Sequence, residues 1–276
     1  MKWLHFILSH SIFIAVCAVA LAFQTAELLQ LHNSVYLYGF IFFATLCSYN
    51  FYWIISKAAF IQPDGLSMLV KKEITGLVIL FLSAIGAFVC LVQYPLPVEF
   101  IITAFLLTCL YGLPLLPFRA LHFTRRAGVL KTVLLAFTWA YVTVFIPLQK
   151  TYLLLDSADL FVFTRRFLFM LMLCIIFDNR DKVVDKIRGL HSLATVLKPN
   201  HLRILIYLIF VILFTTNFLY GYYGITFSQS VALHISTLAL LAVYFYSVKK
   251  RGYLFYYFFV DGMMLFSALA TYIAGI

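Results

Sequence analysis

Nine long apolar runs separated by more polar stretches make up about two thirds of this chain: residues 4–23, 35–56, 74–92, 98–117, 129–148, 159–177, 204–220, 226–248 and 253–276. Each is about as long as an α-helix must be to cross ~30 Å of hydrocarbon. Apolar residues follow one another without the in–out alternation of a barrel strand, and the runs are about twice a barrel strand's length. The pattern predicts an all-α integral membrane protein of nine transmembrane helices, one polytopic domain over residues 1–276. The run at 4–23 follows Lys2 and ends among small residues, as a secretory leader would. It is long enough to span, and is read as the first helix.

Composition agrees with the pattern. The 276 residues are 64% hydrophobic and 11% charged, with a mean hydropathy of +1.03. A water-soluble fold could not bury so much apolar surface. The formal net charge is +10. When the N-terminus is placed in the cytoplasm and the runs alternate, all but three of the 20 basic residues fall on the cytoplasmic side. The three are Lys150, Arg165 and Arg166, the two arginines being expected to snorkel toward the outer headgroups. This partition is the one the positive-inside rule asks for. It predicts a cytoplasmic N-terminus and working face, on the inner membrane if the source is bacterial. So one-sided a charge suits an anionic lipid bilayer; nucleic acid is excluded as a partner because no soluble module is present to bind it. The five cysteines (Cys17, Cys47, Cys90, Cys109 and Cys174) all lie in apolar runs without C-x-x-C spacing. They read as packing residues rather than zinc ligands or disulfides. No internal repeat of the kind that marks many transporters is visible.

Chemistry concentrates where the sixth run ends. The chain has 10 acidic residues, and Asp178, Asp181 and Asp185 stand there together, spaced to share one helix face. Stacked carboxylates repel one another unless a cation neutralises them. Mg²⁺ binds through one or two carboxylates plus substrate phosphates, so the stack suggests a metal-assisted diphosphate site at the membrane surface. The alternative is a solvated helix face balanced by Arg180, Lys182, Lys186 and Arg188.

Arg180-Asp181-x-x-x-Asp185-x-x-x-Gly189, followed by Ser192-Leu193, resembles the second acidic motif of the UbiA superfamily of intramembrane prenyltransferases. The segment Tyr111-Gly112-Leu113-Pro114-Leu115-Leu116-Pro117-Phe118-Arg119 is similar to that family's tyrosine-proline-x-arginine segment, and Arg126, Gly128, Lys131 and Trp139 follow in family-like order. The resemblance implies a UbiA-like helical bundle that transfers an isoprenyl group from its diphosphate to an aromatic or other lipophilic acceptor. It also implies Mg²⁺ held by Asp178, Asp181 and Asp185, the last two catalytic, and a place in quinone biosynthesis. Arg119, Arg180 and Lys186 would then help bind substrate.

The family's other acidic motif, N-D-x-x-D-x-x-x-D, falls on the second run. There Asn50 matches, but the acidic positions hold Phe51, Ile54 and Ala58. Two readings follow. In one, transfer survives because Lys57, with Arg125, Arg126, Lys71 or Lys72, supplies positive charge directly to the diphosphate. In the other, the protein binds an isoprenoid or similar lipid without turning it over. A transporter is a third possibility, and Asp261, a lone carboxylate within the last run, is its best support. Asp261 otherwise reads as part of an acceptor pocket, or as a protonated group hydrogen-bonded inside the bundle.

Overall fold

All regular structure among the described residues is helical, as the unbroken apolar runs require. The computed structural model describes residues 2–58, 73–112, 128–150, 152–187 and 192–276. In chain order the helices are α1 (Lys2–Ser9), α2 (Ile12–Leu29), α3 (Val35–Ala58), α4 (Ile74–Gln93) and α5 (Val98–Gly112). They continue as α6 (Val129–Leu148), α7 (Ser157–Ile187), α8 (Leu193–Val196), α9 (Pro199–Tyr223), α10 (Phe227–Ser247) and α11 (Phe255–Gly275). Among the described residues eight of these are long and apolar enough to cross a membrane, all but α1, α5 and α8. Helix α5 is the described part of the run at 98–117.

The first run does not form the single helix expected. Ser11 adopts a left-handed backbone, φ 62°, which α-helical residues avoid, and the chain breaks there into α1 and α2. The spanning segment is therefore displaced toward the C-terminus, to Ile12–Leu29. Its polar residues are tolerated because they find partners. Gln24 Nε2 donates to Ser267 O (3.0 Å), Ser267 Oγ (3.1 Å) and Thr271 Oγ1 (2.7 Å) on α11, and Thr25 Oγ1 donates to Thr143 O (2.7 Å) on α6.

Helix α2 packs between α3 and α11, α10 against α11, α4 along α3, and α6 against α7. Fully buried Ala15, Cys17, Ala18 and Ala22 give α2 a small-residue face, the kind that lets membrane helices approach closely. Between α3 and α4 the same closeness rests on glycine. A Cβ on Gly86 would meet the Phe43 ring at 2.8 Å, and one on Gly39 would meet Cys90 Sγ at 2.9 Å.

Helix α7 is the axis of the molecule. Its 31 residues rise about 46 Å at 1.5 Å each, well beyond ~30 Å of hydrocarbon, so the acidic stack lies on an extension of a spanning helix. The arginines near its other end do not snorkel. Arg165 is 8% exposed and Arg166 5%. Arg165 Nε donates to Asn217 Oδ1 (2.7 Å) and its Nη2 to Leu233 O and Thr237 Oγ1 (both 3.4 Å). Arg166 Nη2 donates to Leu21 O (3.1 Å) and Thr25 Oγ1 (3.4 Å). In lipid a guanidinium surrounded by such acceptors is better solvated than one facing acyl chains. The pair ties α7 to α2, α9 and α10.

Candidate functional site

The α7 extension carries Asp178, Asp181 and Asp185 at the spacing read from the sequence, on one continuous helix. Asp178 accepts a hydrogen bond from Thr132 Oγ1 on α6 (2.5 Å), and the backbone N–H of Leu193 on α8 faces the same carboxylate. Asp181 is held by its neighbour: Arg180 Nε and Nη2 donate to its two oxygens, each at 2.7 Å. The same guanidinium lies 4.8 Å from the ring centre of Phe177, 5.1 Å from Tyr256 and 4.9 Å from Tyr257. Aromatic faces attract a cation, so Arg180 latches the mouth of the site to α11. Asp185 is buried, 6% exposed, and among the described residues its carboxylate has no hydrogen-bond partner.

Opposite the stack stand residues to which the sequence reading gave no role in the site. Lys131, beside Thr132 in the first turns of α6, lies within electrostatic reach of Asp185, Asp178, Asp181 and Tyr52. Its ammonium is 5.9 Å from the Tyr111 ring centre. Tyr52 and Tyr111 stack, centres 5.1 Å apart. One turn deeper, Tyr49 OH accepts a hydrogen bond from Trp139 Nε1 (3.1 Å).

Helix α3 also resets the register of the missing motif. Phe51 is 52% exposed and turns away from the bundle. Asn50 is buried, but its Nδ2 donates to His10 O (3.1 Å) and Leu46 O (2.8 Å), a structural tie to the α1–α2 break. Tyr49, Tyr52 and buried Ser56 have the same i, i+3, i+7 spacing as the three aspartates. Where the resemblance expects carboxylates, α3 therefore brings two phenols. That spacing was present in the sequence, but matching Asn50 to the motif concealed it.

The other expected site residues are dispersed. Lys57 forms an ion pair with Glu73 (2.8 Å) at the start of α4, so it is engaged outside the carboxylate group. Lys186 is exposed. Arg119, Arg125, Arg126 and Gly189 lie outside the described residues, as do Lys71, Lys72 and Arg188. Asp261 is 8% exposed, inside α11.

Among the described residues no three of His, Cys, Asp and Glu come together closely enough to hold a metal ion. A cage built wholly from protein is therefore not offered. Mg²⁺ sharing one or two carboxylates with substrate phosphates and water asks for less. Asp185, without a hydrogen-bond partner among the described residues, and Asp178 are hard-oxygen donors suited to that mode, whereas Asp181 is already bound to Arg180.

The assembled fold is similar to that of a solved UbiA homologue. The structure matches the apo structure of a UbiA homologue from Aeropyrum pernix K1 with a TM-score of 0.66, over 95% of this chain and 97% of the other, at 11% sequence identity. No family model matches the sequence, and no curated protein does. The likeness therefore lies in the arrangement of the helices: this is an integral membrane protein with the UbiA fold.

Proposed function

We propose that the chain is a prenyltransferase, moving an isoprenyl group from its diphosphate to an aromatic or other lipophilic acceptor at the cytoplasmic face. The observation that carries this reading is the grouping of Asp178, Asp185, Lys131, Tyr52 and Tyr111 at one end of a UbiA-fold bundle. The Lys131 ammonium takes up negative charge as the diphosphate departs, and being fixed beforehand it costs little reorganisation. Phenols at the mouth donate hydrogen bonds to phosphate oxygens, where carboxylates would repel them. The ring faces of Tyr49, Tyr52 and Tyr111 favour the cationic allyl group that ionisation leaves. Mg²⁺, held by Asp178 and Asp185, would neutralise phosphate charge and so weaken the allylic C–O bond. The apolar interior suits the prenyl chain and the product.

The test is transfer by purified protein in detergent, with farnesyl, geranylgeranyl and longer diphosphates, hydroxybenzoate and dihydroxynaphthoate among the acceptors, and Mg²⁺ or EDTA. Product that disappears with EDTA and in Asp185→Asn is expected. Lys131→Met should weaken diphosphate binding roughly ten- to a hundredfold, the worth of one charged hydrogen bond.

A second reading, isoprenoid binding without turnover, is favoured by one observation, the phenols of Tyr49 and Tyr52 at acidic-motif spacing. Diphosphate binding that depends on Lys131, with no product from any acceptor, would decide for it.

A further inference from the structure

A second cleft lies at the same end of the bundle as the carboxylate group. Helix α9 starts there, joined to the α7 extension through α8, and α10 ends there. Between them is a cavity of about 320 Å³, lined by Arg203 and Tyr207 of α9 and by Tyr244, Phe245 and Val248 at the end of α10. The Phe245 ring centre is 6.2 Å from that of Tyr207 and 5.7 Å from that of Tyr244, so three aromatic rings wall one space. Tyr244 is buried, whereas Tyr207, Phe245 and Val248 are exposed. The cleft thus has its floor on the bundle and its mouth on the outside, which for two spanning helices is the bilayer.

Its charge is one-sided. Arg203 stands one turn into α9, about 6 Å of helix rise, where a spanning helix meets the lipid headgroups. No acidic residue lies between Asp185 and Asp261 in the chain, and Lys249 and Lys250 directly follow Val248. Arg203 and both lysines are exposed, and among the described residues none of the three forms an ion pair. Arg251 is otherwise engaged: its Nε donates to Tyr246 O (3.0 Å), and its guanidinium lies 3.5 Å from the Tyr246 ring centre. Topology alone asks only for cations in the loops and a belt of aromatic residues at the interface. Here an arginine and three rings share one cavity. Exposed Val211, one turn beyond Tyr207, and exposed Leu238, two turns before Phe245, continue the apolar surface toward the bilayer centre.

We infer that the cleft between α9 and α10 binds an anionic phospholipid, whose phosphate pairs with Arg203 and whose acyl chain lies against Tyr207 and Phe245. A guanidinium offers parallel donors to two phosphate oxygens. Lys249 and Lys250 add the field that holds a net negative headgroup at the membrane surface, and the apolar walls favour a ligand that brings its own hydrocarbon. A zwitterionic lipid presents the same phosphate, but its ammonium group meets three cations and no carboxylate. The site is independent of the transferase reading.

Native mass spectrometry of the detergent-solubilised full chain, with phosphatidylglycerol and phosphatidylcholine of matching acyl chains, tests the inference. One phosphatidylglycerol should be retained per chain, at least about tenfold more tightly than phosphatidylcholine. Arg203→Met, a change at an exposed position, should weaken that binding about tenfold. Lys150→Met, which removes the same charge at the opposite end of the bundle, should leave it unchanged. Equal affinity for the two lipids, tighter binding of phosphatidylcholine, phosphatidylglycerol held as well by Arg203→Met as by wild type, or an equal loss in Lys150→Met would each overturn the inference. Displacement of the lipid by inorganic phosphate at equal concentration would reduce the cleft to a free-anion site and overturn it as well.

Discussion

Lys150 shows how far a single charged residue reaches in this molecule. Its ammonium contacts Asp156 Oδ2 (3.2 Å) and Asp159 Oδ2 (2.8 Å). The two aspartates also cap α7 reciprocally: Asp159 N–H donates to Asp156 Oδ1 (2.9 Å), and Asp156 N–H to Asp159 Oδ2 (3.1 Å). The Asp159 N–H bond draws the Asp156 carboxyl below the usual carboxylate range, assisted by Lys150. The hydrogen bond to Asp159 raises the Lys150 ammonium above the usual lysine range. A lowered acid stabilises the fold above its unfolded pKa and loses that contribution as pH falls; a raised base stabilises below its unfolded pKa and loses it as pH rises. Lys150→Met should therefore unfold at lower temperature than wild type across the neutral range. The gap should close below about pH 4 and again above about pH 10, which thermal unfolding in detergent can follow. From sequence, Arg165 and Arg166 were expected to snorkel toward the outer headgroups. Both arginines turn inward instead, because their acceptors are a side-chain amide, hydroxyls and carbonyls far along the chain, and a hydropathy profile carries no trace of them.

At the scale of elements, the sequence was most informative where a helix is uniformly apolar. The spanning segments and the emergence of Asp178, Asp181 and Asp185 on one face of α7 were legible because period and length alone determine them. The break at Ser11 was not, since no glycine or proline marks it. The α3–α4 contact was equally hidden: Gly39 and Gly86 look like ordinary small residues until the Phe43 ring and Cys90 are placed against them. Gly86→Leu should force these helices apart and cost about 1–3 kcal/mol, read as a lower unfolding temperature. Gly112, with nothing within 4 Å of a Cβ, should tolerate alanine with a much smaller loss. The candidate site was half legible for a related reason. Carboxylates in an acid-poor chain stand out, whereas Lys131, Tyr49 and Tyr52 are ordinary residues that become a group only when α3, α5, α6 and α7 converge.

Across the whole molecule, the first and last spanning helices close on each other through Gln24, whose amide nitrogen serves Ser267 and Thr271 together. Gln24→Leu should lower stability by about 1–3 kcal/mol, since the Thr271 hydroxyl and the Ser267 groups lose a donor inside lipid. A chain split between α10 and α11 should reassociate less well with this substitution than without it, a comparison co-purification of the two pieces can make. The buried arginines bear on how such a bundle comes to exist. When α7 leaves the ribosome, Arg166 can already reach Leu21 and Thr25 on α2, but the partners of Arg165 lie 52, 68 and 72 residues further along. Until α9 and α10 are synthesised, one arginine of the axial helix has no permanent home in the bilayer. The newborn chain must keep that charge near water or within the insertion machinery, so translation itself sets the moment at which the membrane can finally take α7.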